Sequence, residues 1–419
     1  MRLSVVRFLV LAMVAAACGR TPTATCVAGE CLQGSLADAF LAEKAGFQRE
    51  WLVQAPFDTE RTQLERVTIA DGLLIAQSGD GGIVAISTAE GRPGMPLPGT
   101  VLWCQGLGGS GPIVPASVGP DLVLVARDNV VAAFERATGS VRWQQHIGGL
   151  SDAGPVAAGG WVYIPRGSSR ILRLPANPYR LTPTAPRPTK QTASTKKKKN
   201  AKQDRRPVES LDPVSLATGG RLCQQPEAFN NGLLWCTEEG KLVALEPSND
   251  GWHRNEFELG MPAAGRPVVH DGAIYVATVE GDLARIESLD TQGGGLQVDW
   301  QVLLETEPDG DIFASGDKLF VSLGEQGIVA RSTQSGSELW RSPLRGRIVA
   351  VSGGRVWLFD RVGKLSSLDA TTGECLEQFC LGGFTFPVEN HGNDRLILAT
   401  PGGAIASLKP VSAAVRGNP

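Results

Sequence analysis

The chain has 419 residues, with 40 Lys and Arg against 43 Asp and Glu, a formal net charge of -3, and 42% hydrophobic residues. So balanced a charge argues against a dedicated nucleic-acid binder, whose domain would be basic. Its 51 glycines and the lack of a long amphipathic helical pattern argue against a helical bundle and for an all-β repeat rich in tight turns.

At the N-terminus, Arg2 and Arg7 flank the start of an apolar run from Phe8 to Ala17. The run is too short to span a bilayer and has the form of a secretory signal over residues 1–17. Ala15-Ala16-Ala17-Cys18 resembles a bacterial lipobox, which makes Cys18 the expected lipidation site. Ordinary cleavage after small residues is the alternative. Gly19 stands where many inner-membrane lipoproteins have aspartate, so the resemblance implies an outer or surface membrane. Residues 18–49 read as a tether with a short helix between Ser35 and Phe47, Ser35 as N-cap and Leu36, Phe40 and Leu41 on one face. Eight cysteines suit an exported protein. Cys26 with Cys31, and Cys223 with Cys236, are the candidate disulfides, while Cys104, Cys375 and Cys380 are unassigned. Metal binding is the rival reading of the close pairs. No Cys-x-x-Cys doublet supports it, and His146, His253, His270 and His391 are scattered, so no metal site is assigned.

From residue 50 to 410 a pair of strand signals recurs eight times. Each first member starts at a Gly, Asp or Asn turn, as at Asp71-Gly72, Gly159-Gly160 and Gly353-Gly354, and runs into apolar residues. Each second member carries its leading apolar residue at Ile83, Val131, Ile171, Leu242, Leu283, Ile328, Leu365 or Ile405. A unit of this size cannot bury both faces of its own sheet, so neighbouring copies must stack. Antiparallel hairpins repeated radially give an eight-bladed β-propeller. The last copy supplies only three strands before the chain ends. Glu50-Trp51-Leu52-Val53 resembles the outer-strand segments at Trp103, Trp143 and Trp340, so it is expected to complete the eighth blade.

One interval is abnormal: Ile171 and Leu242 are 71 residues apart. Within it, residues 175–219 lose apolar periodicity and carry Lys196, Lys197, Lys198, Lys199, Lys202, Arg205 and Arg206. Such a stretch is expected to be a disordered insertion in the third blade. It reads as a solvated loop or as a basic contact for an anionic surface. Residues 411–419 form a C-terminal tail.

Ala137-Thr138-Gly139-Ser140-Val141-Arg142-Trp143 and Gln334-Ser335-Gly336-Ser337-Glu338-Leu339-Trp340 resemble the PQQ-like repeat, in which the Trp docks on the next blade. The resemblance implies docking roles for Trp51, Trp103, Trp143, Trp300 and Trp340. Phe257 and Glu377 occupy the equivalent places in the fourth and seventh blades, where weaker junctions are expected. Quinoprotein dehydrogenases of this repeat family use a vicinal cysteine pair and calcium ligands. The chain has no adjacent cysteines, and Glu307-Pro308-Asp309-Gly310-Asp311 reads as a turn. No Gly-x-Ser-x-Gly elbow is present either. No cofactor and no catalytic residue are assigned.

Size, signal and blade number resemble the propeller lipoproteins of the outer-membrane β-barrel assembly machinery. The implied function is a membrane-tethered scaffold for protein–protein interaction on the periplasmic face of the outer membrane, with a barrel protein as the implied partner. A PQQ-like quinoprotein oxidoreductase or a carbohydrate- or peptide-binding module is the alternative.

Overall fold

The computed structural model describes residues 37–411 apart from 45, 89–95, 152, 177–213, 223, 249–250, 290–294, 361–362 and 392. The signal, Cys18, Cys26, Cys31, the expected helix cap Ser35 with Leu36, Cys223, the basic residues Lys196 to Arg206 and residues 412–419 of the C-terminal tail lie outside the described residues.

The described strands form eight four-stranded antiparallel sheets, the blades of a propeller. We letter their strands a to d outward from the axis. Blades 1 to 7 span 64–106, 117–146, 156–217, 227–258, 268–303, 313–342 and 347–380. Blade 8 takes strands a to c from 386–410 and strand d from Phe47–Gln54.

The apolar runs in the sequence follow from this stacking. Strands b and c are covered on both faces by neighbouring blades, so Leu73–Ser78 and Leu122–Arg127 are buried at every position. Strands d keep one face wet, and Leu296–Leu303 alternates between half-buried and exposed. Five of the a–b turns have positive φ at both central residues, as type I′ hairpins require. Among them are Asp71 (48°) with Gly72 (78°) and Gly353 (60°) with Gly354 (71°). In blade 4 these central residues are Asn230 and Asn231, one place before the Asn231-Gly232 signal.

The described residues form no single core. Eight apolar clusters occupy the eight junctions between blades. Ile75, Ile83, Trp103, Val123 and Phe134 belong to the cluster between blades 1 and 2. Phe47, Trp357, Phe379, Leu396 and Leu398 belong to the one between blades 7 and 8.

The ring closes as the sequence predicts. Phe47–Gln54 pairs antiparallel with Ala404–Pro410, with a register shift between Arg49 and Trp51. Glu50 receives two bonds from Arg395, Nε to Oε2 and Nη2 to Oε1, both 3.1 Å, and a third from Ser407 Oγ at 3.1 Å.

Two boundaries differ from expectation. The short helix is Ala39–Lys44, with Asp38 Oδ1 accepting from the N–H of Phe40 at 2.9 Å and of Leu41 at 3.3 Å. Its cap is therefore Asp38, and Phe40 is 62% exposed. In blade 3, strand c ends at Pro175 and strand d is Val214–Ala217, so the blade resumes inside the span assigned to the insertion. Leu216 packs against the cluster between blades 3 and 4, which is why the chain must return there.

Cys375 and Cys380, unassigned from the sequence, are both disulfide-bonded. They stand at the two ends of one extended strand. At about 3.3 Å per residue they are beyond the roughly 7 Å reach of a shared bond, so each is bonded to a cysteine elsewhere. Cys104 is an exposed free thiol, and Cys236 is buried in strand b of blade 4.

Candidate functional site at the ring axis

Five blades send charged groups to one place. Arg266, just ahead of the inner strand of blade 5, donates from Nη1 to Glu227 Oε1 of blade 4 at 2.9 Å. Its Nε donates to Asp311 Oδ2 of blade 6 at 2.7 Å, and its backbone N–H to Asp311 Oδ1 at 3.1 Å. Arg347 of blade 7 is ion-paired with Glu389 of blade 8. His391 of blade 8 stacks on Phe313 of blade 6, ring centroids 3.9 Å apart and planes 18° apart. Blades 6 and 8 are not neighbours in the ring, so a ring-on-ring contact between them places the group at the axis. There the inner strands of adjacent blades touch, as the parallel bridge between Ala350 and Asn390 does.

The charges perturb one another. Burial pushes the Glu227 carboxyl above the ordinary range, opposed by Arg266 and reinforced by Asp311. Burial works against the Asp311 carboxylate too, but the Arg266 guanidinium and backbone N–H outweigh it and hold Asp311 below the ordinary range. Asp311 is the last residue of the acidic turn seen in the sequence, and the fold gives it an arginine partner 45 positions away. Neither Glu227 nor Arg266 stands in a recognisable motif. Alternation within inner strands of two or three residues is too short to mark which side chains face the axis.

At the circumference, four tryptophans of strands d donate Nε1 to a carbonyl of the next blade. Trp103 reaches Arg136 O at 2.9 Å, Trp143 reaches Ala176 O at 3.2 Å, Trp300 reaches Thr333 O at 3.0 Å and Trp340 reaches Ala370 O at 3.1 Å. Trp51 lies against Gly99 of blade 1 and is 7% exposed. At the sites without this residue other groups fill the joint. Phe257 packs into the cluster between blades 4 and 5. Glu377 Oε2 accepts from Arg355 within blade 7 at 2.5 Å, while Phe47 and Phe379 flank Trp357 at 5.0 and 6.0 Å.

A groove of about 720 Å³ opens between the a–b turns of blades 2, 3 and 4, lined by Asp121, Trp143, Trp161, Phe229 and Asn231 among others. It lies beside Ala176, the residue after strand c of blade 3. In blades 2, 6 and 7 the corresponding turn closes tightly with Gly139, Gly336 or Gly373 against the docked tryptophan.

The family model described as outer membrane protein assembly factor BamB matches residues 96–177 and 293–417, just under half of the chain. No curated protein matches the sequence. Among solved structures, BamB from Moraxella catarrhalis is similar at a TM-score of 0.60 and 17% identity, covering 87% of this chain and 97% of that one. A computationally designed protein, Ika8, gives 0.57 at 10% identity over 86% and 99% of the two chains. Sqt1 from Saccharomyces cerevisiae gives 0.56 at 12% over 87% and 99%. At these identities the structures speak to fold alone, and one fold hosts many functions. The chain is an eight-bladed β-propeller that resembles BamB in its fold and, over residues 96–177 and 293–417, matches the assembly-factor family model.

Proposed function

We propose that this propeller is a scaffold for protein–protein interaction in a bacterial envelope, held to the outer membrane through lipid on Cys18 and serving the assembly of outer-membrane barrel proteins. The observation that carries this reading is the match of the repeats on both sides of the ring, residues 96–177 and 293–417, to the assembly-factor family model. The eight-bladed fold supports it, since Moraxella BamB has the same architecture over nearly its whole length. A ring closed by its own N-terminal strand would hang from the membrane by the segment between Cys18 and Phe47, leaving blade turns and grooves open to partners.

The test is the outer-membrane proteome of the source bacterium with and without the gene. Deletion lowers the amounts of folded barrel proteins, and restoring the wild-type gene returns them. Unchanged barrel levels would overturn the assembly role. Stoichiometric PQQ binding with dye-reducing activity would favour the oxidoreductase reading in its place. Mass spectrometry of the mature N-terminus checks the anchor, an unmodified Cys18 being the contrary result.

A further inference from the structure

We infer that Asp311, Glu389 and His391 form a site for one divalent transition-metal ion at the axis of the ring. The ligand atoms of the three side chains lie within 4.8 Å of one another. One imidazole nitrogen and two carboxylates are donors that suit zinc and its neighbours, with bonds of about 2.0–2.2 Å. His391 Nε2 and Glu389 Oε2 are 3.9 Å apart, too far for a hydrogen bond. Two ligands of a common ion stand at about such a separation, and small side-chain rotations close the remaining gap.

The surrounding geometry suits a bound ion. Glu389 Oε1 is taken up by its ion pair with the Arg347 guanidinium, which leaves Oε2 as the oxygen facing His391. The imidazole is also pre-oriented, because stacking on Phe313 fixes its plane. Asp311 is not spent by its arginine: Oδ1 accepts only the Arg266 backbone N–H, and each carboxylate oxygen has two lone pairs. The local charge is favourable, with the carboxylates of Glu227, Asp311 and Glu389 against the guanidiniums of Arg266 and Arg347. His391 keeps 32% of its side chain accessible, so an ion can enter from solvent. Donors come from only two blades, 6 and 8, and an ion there would tie non-adjacent blades across the axis.

The experiment is calorimetric titration of Zn²⁺ into metal-free protein in a Cys104→Ser background, which removes the exposed thiol as a competing ligand. Binding saturates at one equivalent, and His391→Ala and Glu389→Gln each weaken it at least tenfold. His146→Ala, on the outer strand of blade 2, leaves it unchanged. His391→Gln keeps the side-chain volume and guards against misfolding, which far-UV circular dichroism checks on every variant. The melting temperature rises with Zn²⁺ in the parent and not in the His391 variants. Absence of saturable binding, or binding equally tight in folded His391→Gln, overturns the site.

Discussion

Gly354 and Gly373 of blade 7 have nearly the same backbone, φ of 71° and 75°, but different surroundings. A Cβ on Gly354 meets nothing within 4 Å, whereas one on Gly373 lies 2.4 Å from a ring atom of Trp340. Alanine at either position bears the left-handed strain of about 1 kcal/mol. Only Gly373→Ala adds the overpacking cost of about 1–3 kcal/mol. Urea unfolding should therefore place Gly373→Ala clearly below Gly354→Ala, and equal midpoints would mean that the turn does not clamp the indole. Trp340→Ala approaches the same joint from the other side. It empties a site that is 8% exposed and removes the donor to Ala370 O, a loss of about 3–5 kcal/mol in the same measurement. These joints are legible in the sequence because Thr-Gly and Trp recur in one short stretch. The axial group is not, because Glu227, Arg266, Asp311 and His391 belong to four blades and meet only when the ring has formed.

The strand Phe47–Gln54 carries more than a fourth row of hydrogen bonds. Phe47 and Trp51 bury rings in two different junctions, 7–8 and 8–1, so one strand seals both faces of blade 8. Between them Glu50 holds Arg395 and Ser407, with side-chain exposures of 19% for Glu50 and 14% for Arg395. Partly buried and bidentate, this pair should exceed the 1 kcal/mol ceiling of surface pairs while falling short of a fully dry one. Glu50→Ala is expected to cost about 1–3 kcal/mol. A double-mutant cycle with Arg395→Ala measures the coupling, and additive losses would deny the pair any role in closure. The Glu-Trp-Leu-Val pattern made this strand readable. Its neighbour in sequence, the helix Ala39–Lys44, starts later than the sequence suggests, because Asp38, as good an N-cap as the expected Ser35, accepts from the N–H groups of Phe40 and Leu41.

At the scale of the ring, the closing strand and its partner Ala404–Pro410 are joined by nearly the whole chain, so their pairing demands that every intervening blade be in place. Long-range pairings of this kind carry a large loop-closure entropy and form late. A protein beginning after residue 60 would present Ala404–Pro410 as an open edge between two uncovered apolar clusters, and such an edge templates pairing with another chain. Two outcomes follow. The truncated protein melts well below the full-length form, and it elutes as concentration-dependent oligomers in gel filtration. Because the vacancy has the shape of one strand, a synthetic peptide of residues 47–54 should bind it, raise the melting temperature in proportion to the logarithm of peptide concentration, and dissolve the oligomers. A peptide with Phe47 and Trp51 replaced by Ala should do neither, since it keeps the backbone pairing and loses both buried rings. If truncation left melting and oligomeric state unchanged, blade 8 would be stable with three strands and the N-terminal segment would serve only as a tether. If the native peptide failed to rescue while truncation did destabilise, closure would depend on covalent attachment of the strand, and its contribution would be effective concentration rather than packing.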